Sequence, residues 1–340
     1  MTGMAPDASL AAVLDYYPGL GPIGCIHSLA NAGGFSGSRL WRLERDAGDL
    51  CLRRWPQEHP SEERLAFIHG VLGQFGQCGL TCIPVPLPSR GGKSFVAYRE
   101  HFWELAPWMR GKADFHANPT RDRLASVMRT VAQLHRTAEG ASPRCQENSP
   151  TLLSRRGQLQ RLIAGEAGKL ASAVQRHPRE PLRERGQRLF AHFHRRATFA
   201  ASKLDEVTIM KGIPLFPVIR DLWHDHILFT GDQVTGIVDF GAMRVDSAAC
   251  DLSRLLGSLV GNDREAWEFA RKAYNSVRPL SADEWKQAQA LDEVNVILAG
   301  LNWLDWICVQ GRVFENEAAV YARLDELLIR LEGARSFPPA

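Results

Sequence analysis

Two aspartates beside a short apolar segment are the residues of this chain best suited to chemistry. Asp221 precedes an apolar run at 227–229, and Asp239 ends a second run at 234–238. The residues between the runs, Thr-Gly-Asp-Gln, are typical of a hairpin turn. Because a hairpin brings its outer ends together, we expect both carboxylates on the same side of the structure.

Phosphoryl transfer uses such a pair of acids. One carboxylate orients or deprotonates the attacking hydroxyl, while the other holds magnesium on the nucleotide phosphates. Aspartates are also frequent in turns and caps without any chemical role. On spacing alone, a catalytic role and a purely structural role for Asp221 and Asp239 are equally open.

The segment that contains both aspartates resembles the catalytic loop and metal motif of the aminoglycoside phosphotransferase and choline kinase-like family. In that family H-G-D-x-x-x-x-N precedes a hairpin and the motif V-I-D-F-G, and residues 238–241 here are V-D-F-G. The resemblance implies that Asp221 is catalytic and that Asp239 binds the metal. Asp246 and Asp251 resemble the family's G-D-P-x-x-D-L element, whose second aspartate is implied to brace the catalytic loop.

The N-terminal half resembles the same family in the order and distance of its motifs. The segment 33–37 is similar to the glycine-rich loop, whose backbone amides are available to phosphate oxygens. The segment 52–56 is similar to the strand with the phosphate-binding lysine, and 103–111 is similar to the hinge whose main chain binds adenine. The residues implied to bind ATP are Gly33, Gly34, Ser36, Arg53, Glu104, Leu105 and Ala106.

Several positions depart from the family pattern. Arg53 stands where the lysine is expected, so the charge is kept but its geometry is a fork rather than a point. Ile219 and Arg220 replace the His-Gly that precedes the catalytic aspartate. No glutamate falls squarely where the family's helix would pair with the strand's cation, and Glu62 and Glu63 are the candidates.

His226 replaces the asparagine that would bind magnesium. We predict that His226 is a metal ligand, which makes Mn²⁺ an alternative to Mg²⁺ because imidazole suits manganese or zinc better. An alternative is that Asp225 supplies the missing oxygen. The segment His224-Asp225-His226 beside Asp221 also resembles a hydrolase metal cluster, but a hydrolase would not explain the glycine-rich segment and hinge upstream.

The elements that must position these residues change in type along the chain. Residues 1–106 alternate short β-type runs with turns, and residues 107–340 are mainly helical in period apart from the hairpin region. Ser61 is a predicted helix start, and Ser281 with Glu284 forms a capping box. The resemblance implies a protein-kinase-like two-lobed α+β fold, with a small antiparallel sheet in the N-terminal lobe.

Composition and charge indicate which kinds of partner and location to expect for this protein. The chain has 340 residues and a formal net charge of +3, which is too small to indicate a nucleic acid or a membrane surface. Its seven cysteines show no paired C-x-x-C spacing, and no uncharged apolar run reaches membrane-spanning length. We expect a cytoplasmic protein whose partners are ATP and a small hydroxyl-bearing molecule.

The acceptor is the least defined part of the function. Members of the family phosphorylate aminoglycosides, choline, homoserine and sugars, so an aminoglycoside, an amino-alcohol or a sugar is implied. Asp292, Glu293 and Asp305, with Trp303 and Trp306, favour an ammonium-bearing acceptor. A solvated helix face with core tryptophans explains the same pattern equally well. The departures from the family pattern also leave open a catalytically silent, pseudokinase-like nucleotide binder.

Overall fold

The computed structural model describes residues 8–29, 37–141, 148–314 and 316–333. The helices are α1 (Ala8–Leu14), α2 (Glu62–Gln77), α3 (Arg121–Ala141), α4 (Pro150–Arg161), α5 (Ala167–Gln175), α6 (Glu180–Thr208), α7 (Ala249–Leu259), α8 (Arg264–Asn275), α9 (Ala282–Cys308) and α10 (Glu317–Gly333). The strands are β1 (Ile26–Ser28), β2 (Arg39–Leu43), β3 (Leu50–Arg54), β4 (Val96–Tyr98), β5 (His101–Pro107), β6 (Phe216–Val218), β7 (Ile227–Thr230), β8 (Gln233–Ile237) and β9 (Arg244–Asp246).

The chain forms two compact units. The first unit comprises Met1–Ala138 with His224–Met243, and the second comprises Glu139–Trp223 with Arg244–Ala340. The predicted division between residues 1–106 and 107–340 stays a prediction. In the grouping by contacts, residues 107–138 and 224–243 belong with the N-terminal segment. No helix of the described residues is long and apolar enough to cross a membrane.

An antiparallel sheet forms the centre of the first unit. Its strand order is β1-β2-β3-β5-β4, which confirms the predicted small antiparallel sheet. β4 and β5 are joined by a tight turn in which Arg99 and Glu100 adopt positive φ angles of 48° and 61°. One face of the sheet is apolar, and there the indole rings of Trp41 and Trp103 stack at 5.5 Å. The alternation of buried and exposed positions therefore fixes which side chains of β3 and β5 reach the other face.

Helix α2 begins at the predicted position. The Ser61 hydroxyl accepts a hydrogen bond from the backbone N–H of Arg64, which satisfies one of the free donors of the first turn. Leu65 from this helix packs with Trp55 and Phe95 on the sheet. His69 lies one turn later on the same face and is thereby buried against β5.

The predicted hairpin is formed by β7 and β8. Its turn contains Gly231 at φ 59°, a left-handed conformation that suits glycine. Two backbone hydrogen bonds join Lys112 to Phe229, at 3.0 and 2.9 Å, and the N–H of Ile237 donates to Cys82 O at 2.7 Å. These bonds hold the hairpin against the segment that follows β5 and place the chain after β8 within the same unit.

The second unit is built around its two longest helices. α6 and α9 pack along each other, and at Gly300 an added Cβ would lie 2.6 Å from the Leu189 side chain, so glycine allows the close approach. The predicted capping box at Ser281 and Glu284 starts α9. The short strands β6 and β9 pair antiparallel and lead into the segment 219–221 and into α7.

We predict that Gly111→Ala destabilises the first unit by about 2–4 kcal/mol. Gly111 has a φ of 110°, and a Cβ there would lie 2.5 Å from Thr235 Oγ1 and 2.7 Å from Phe229 O. Gly231→Ala is the matched control, since its φ is also positive but nothing lies within 4 Å of an added Cβ. Only backbone strain of about 1 kcal/mol is expected there. Urea unfolding with equal losses in both variants would contradict the account of the Gly111 contact.

Candidate active site

Arg53 on β3 and Asp239 after β8 are brought into contact, although 186 positions separate them in sequence. The Arg53 Nη1 lies 3.4 Å from the Asp239 Oδ1. Asp239 adopts a φ of 63°, which is uncommon for a residue with a side chain and directs its carboxylate away from the path of β8. The predicted phosphate-binding cation and the predicted metal ligand therefore belong to one cluster.

Glu104 on β5 is the second carboxylate of this cluster. It is the direct cross-strand partner of Arg53, and its Oε1 lies 3.7 Å from Arg53 Nε. The other oxygen, Oε2, accepts hydrogen bonds from His69 Nε2 at 2.8 Å and from Trp55 Nε1 at 2.9 Å. The Arg53 guanidinium also lies 4.7 Å from the Trp55 ring centroid. Arg53 is thus held on its sides by charge and on its face by an aromatic ring.

The glutamate that pairs with Arg53 is Glu104, and the candidate Glu62 of α2 is not its partner. Glu62 lies at the exposed start of α2 and forms an ion pair with Lys93 at 2.8 Å. α2 instead contributes His69, which reaches Glu104 and contacts the Ser94 hydroxyl at 2.8 Å through its other nitrogen. The carboxylate comes from the neighbouring strand because the register of β3 and β5 places it directly opposite Arg53.

The cluster is ionised because its opposite charges outweigh burial. Burial alone would lower the pKa of Arg53, but Glu104 and Asp239 raise it above its ordinary value. Burial would raise the pKa of Glu104, yet the hydrogen bond from His69 and the charge of Arg53 hold it below its usual range. The pKa of Asp239 is likewise lowered despite burial, by Arg53, His226 and the backbone N–H of Gly241. One cation between two anions is a stable arrangement at neutral pH.

His226 lies beside the second oxygen of the Asp239 carboxylate. Its Nε2 is 3.8 Å from Asp239 Oδ2, and its carbonyl accepts a hydrogen bond from Val238 N at 3.0 Å. Two atoms that bind one ion at about 2.1 Å lie about 3–4 Å apart, depending on the angle at the metal. The Asp239 oxygen and the His226 nitrogen therefore fit a shared divalent ion, and the mixed donor set suits Mn²⁺ or Zn²⁺ at least as well as Mg²⁺.

Among the described residues, His224, Asp225 and His226 do not bring three ligand atoms together as the alternative hydrolase-type cluster requires. Asp225 lies 3.3 Å from His224, whose ring stacks edge-on against His116 at 4.5 Å. Within the described ranges, the ligand atoms of three His, Cys, Asp or Glu side chains converge only at Cys25, His27 and Glu44.

Asp221 lies in the second unit, in the segment that follows β6. The fully buried Asp251 accepts hydrogen bonds from the backbone N–H groups of Ile219 at 2.8 Å and Arg220 at 2.5 Å. Arg220 adopts a φ of 67°. This is the bracing role predicted for Asp251. The Asp221 carboxylate lies 2.5 Å from Arg254 Nη2, a partner that the sequence analysis missed although Arg254 follows Asp251 by one helical turn.

The structure gives the positions of some predicted nucleotide-binding residues, but their binding roles stay predictions. Gly33, Gly34 and Ser36 lie outside the described residues. Leu105 and Ala106 are buried in β5, and the Leu105 carbonyl accepts a hydrogen bond from Leu87 N at 2.7 Å. Adenine binding by Glu104, Leu105 and Ala106 stays a prediction.

The recognition of an ammonium-bearing acceptor by the acidic and aromatic side chains of α9 stays a prediction. Both of its oxygens pair with Arg330, at 3.1 and 2.8 Å. Asp305 accepts a hydrogen bond from Gln310 at 2.6 Å. The rings of Trp303 and Trp306 pack edge-on against each other at 5.2 Å. Asp292, Asp305 and the two tryptophans therefore each have a partner within the protein.

Comparison with known proteins identifies the family of this chain. A sequence model described as the phosphotransferase enzyme family matches residues 28–291. A homoserine kinase of Agrobacterium fabrum is 24% identical over 249 residues, which are 72% of this chain and 70% of that protein. A homoserine kinase of Methylocella silvestris is 26% identical over 324 residues, 91% of this chain and 89% of that protein.

Solved structures share the fold at low sequence identity. An aminoglycoside phosphotransferase from Alicyclobacillus acidocaldarius superposes with a TM-score of 0.70 at 14% identity, over 98% of this chain and 93% of that one. A spectinomycin phosphotransferase in complex with ADP and spectinomycin gives a TM-score of 0.65 at 12% identity, over 92% and 93%. The predicted kinase-like α+β fold, with an antiparallel sheet and a mainly helical remainder, is confirmed.

We predict that Glu104→Gln lowers the free energy of unfolding by about 2–4 kcal/mol at pH 7, since it leaves Arg53 with one buried carboxylate fewer. Glu62→Gln is the control, and its exposed pair with Lys93 is expected to contribute less than about 0.5 kcal/mol. Denaturant unfolding of both variants measures the difference. Equal effects in the two variants would contradict the stabilising role of the pair between Glu104 and Arg53.

The contribution of Glu104 to the free energy of unfolding decreases as the pH falls. Because the pKa of folded Glu104 lies below its unfolded value, its contribution is complete above the unfolded pKa of about 4.3 and is lost as the pH falls through the folded pKa. Wild type and Glu104→Gln should therefore converge in stability in acid. A gap that is as large at pH 3 as at pH 7 would contradict the ionised cluster.

Proposed function

The chain belongs to the phosphotransferase enzyme family and is a small-molecule kinase, and we propose that it moves the γ-phosphoryl group of ATP to a hydroxyl group of its substrate. The observation that carries this proposal is the cluster of Arg53, Glu104, Asp239 and His226, which joins a fixed cation to a carboxylate that we propose as the metal ligand. Catalysis of phosphoryl transfer depends on such positioned charges.

Arg53 is proposed to bind the nucleotide phosphates. Its Nε faces Glu104 and its Nη1 faces Asp239, so two of the three guanidinium nitrogens have protein partners. The stacking on Trp55 fixes the plane of the fork, and a fixed fork matches the spacing of phosphate oxygens. This arrangement supports a site that is formed before the nucleotide binds.

Asp239 and His226 would hold the divalent ion through an oxygen and a nitrogen. The ion, when bound, neutralises charge on the nucleotide phosphates. A related solved structure, an amicoumacin kinase at a TM-score of 0.60, contains AMP-PNP and Ca²⁺, which supports a nucleotide and a divalent cation for this fold.

Asp221 is proposed as the residue that orients the acceptor hydroxyl and receives its proton. In the transfer, the acceptor oxygen forms a bond to the γ-phosphorus, the bond from that phosphorus to ADP breaks, and the hydroxyl proton passes to the Asp221 carboxylate. The buried Asp251 supports this role, because it fixes the two peptide groups immediately before Asp221.

The comparisons support a small hydroxyl compound as the acceptor. The sequence relatives are named homoserine kinases, and a microcompartment-associated aminopropanol kinase shares the fold with a TM-score of 0.61. A test panel should therefore contain homoserine, amino-alcohols, aminoglycosides and sugars.

Asp221→Asn is expected to lower kcat by about 10²- to 10⁴-fold with the best acceptor of that panel. The dissociation constant for ATP should stay within about threefold, because Asp221 is not assigned to the nucleotide. Asp232→Asn, in the exposed hairpin turn, is the control and should keep wild-type turnover. Wild-type turnover in Asp221→Asn would refute the assignment. A wild-type protein that binds ATP but phosphorylates nothing would support the silent nucleotide binder.

His226→Asn is expected to shift the metal preference from Mn²⁺ toward Mg²⁺ by about tenfold, since an amide oxygen replaces an imidazole nitrogen. The ratio of kcat/KM with the two metals measures this shift, and His224→Asn is the neighbouring control. If Asp225 supplies the oxygen instead, Asp225→Asn alters the metal requirement and His226→Asn does not. An unchanged ratio in His226→Asn removes His226 from the metal shell.

A further inference from the structure

Three arginines of the second unit lie around the segment that ends at Asp221. Arg155 is on α4, Arg220 precedes Asp221 in the chain, and Arg254 is on α7. Arg220 has Asp246 at 3.8 Å and Arg254 has Asp221 at 2.5 Å. Within the described part of the chain, Arg155 has no carboxylate partner of this kind.

The two helical arginines are positioned by the carboxylates that hold the segment. At the start of α4, Thr151 donates its hydroxyl to the buried Asp246 at 2.6 Å, and Arg155 lies one turn later on the same face. On α7, Asp251 accepts the N–H groups before Asp221, and Arg254 lies one turn later on the same face. Both helices therefore present an arginine toward the segment 219–221.

Arg155 is the member of the group whose charge is least compensated. Its guanidinium donates from Nη1 to Gln158 Oε1 at 3.2 Å, a neutral acceptor. Its Nε is buried and has no hydrogen-bond partner among the described residues, and the same is true of Arg254 Nε. Burial, followed by the charges of Arg254 and Arg220, lowers the pKa of Arg155. Arg155 is half-buried, and a half-buried cation next to like charges is destabilised unless an anion joins it.

The next residue shows that this arrangement is not general for the helix. Arg156, also on α4, forms a direct ion pair with Asp205 of α6. α4 thus carries one arginine that is paired within the protein and one that is not. The contrast separates a structural arginine from one whose donors suit a ligand.

We propose that Arg155 and Arg254 bind a carboxylate of the acceptor, so that the substrate is a small hydroxy acid. Arg254 contacts Asp221 through Nη2, and its Nε has no hydrogen-bond partner among the described residues. A carboxylate bound at this Nε would therefore share the Arg254 guanidinium with Asp221, the residue proposed to receive the hydroxyl proton. The carboxylate and the hydroxyl of the acceptor are then only a few bonds apart. This inference rests on the proposed function, and it holds whether or not the acceptor also carries an ammonium group.

Equilibrium binding tests the proposal without requiring turnover. Calorimetry in the presence of ADP compares hydroxy acids, homoserine among them, with the carboxamide of each, which has the same hydroxyl but no negative charge. We expect the best acid to bind at least about tenfold more tightly than its amide, and Arg155→Gln to weaken that acid by about 10- to 100-fold without affecting the amide. Arg156→Gln is the matched control and should keep the wild-type preference.

A second measurement separates a ligand role from a structural one. Removal of an uncompensated charge should leave the melting temperature of Arg155→Gln unchanged or raised, whereas Arg156→Gln loses an ion pair. Arg155→Lys keeps the charge and should retain part of the acid preference. A large loss of melting temperature in Arg155→Gln would identify Arg155 as a structural residue and overturn the proposal.

The same anion chemistry would suit a phosphate, and titration with inorganic phosphate and with ADP distinguishes this source. If Arg155→Gln weakens these ligands but not the acids, the anion is a phosphate and the carboxylate proposal is wrong. Amides bound as tightly as acids would also refute it. An amide that is phosphorylated while acids are not overturns the acid inference but keeps the kinase. An acid that binds through Arg155 but is never phosphorylated overturns the kinase instead.

Discussion

The buried charge of Arg53 is the constraint on which the first unit depends. A guanidinium with little access to water is tolerated only if anions compensate it, and Glu104 and Asp239 do so from two different parts of the chain. Glu104 is supplied by the register of β3 and β5. Asp239 is supplied by the hairpin, which must be bonded to the segment after β5 for the carboxylate to reach Arg53. The sheet, α2 and the hairpin are thus arranged around one cation.

In the second unit, the buried carboxylates are bonded mainly by neutral donors. Asp246 and Asp251 are fully buried, yet their main hydrogen-bond donors are hydroxyl and backbone N–H groups. Because these carboxylates are satisfied largely by neutral donors, the arginines near them are only partly compensated. Arg155 is the arginine whose positive charge is least compensated. A negatively charged substrate would compensate this charge beside Asp221, the proposed proton acceptor.

The departures from the family pattern have a common physical logic. Arginine in place of lysine at position 53 provides a fork that can face Glu104 and Asp239 at once, which a point charge on a flexible stem does less precisely. His226 in place of asparagine still offers an atom toward Asp239, although it is a nitrogen. Both replacements change the geometry and the ligand chemistry. Position 53 nevertheless keeps its positive charge, and position 226 keeps an atom that can bind a metal.

What the sequence determined by itself is the local part of this protein. Turn residues, caps and apolar spacing act within a few positions, so the helix start at Ser61, the capping box at Ser281 and the hairpin 227–237 could be predicted, and the V-D-F-G motif located Asp239. Only the tertiary structure decided which charges meet. Glu104 rather than Glu62 pairs with Arg53 because of strand register, and Arg330 takes Asp292 because two helices of the second unit pack together. Such pairings join residues far apart in sequence, and no local propensity encodes the distance between two side chains that meet only after the chain has folded.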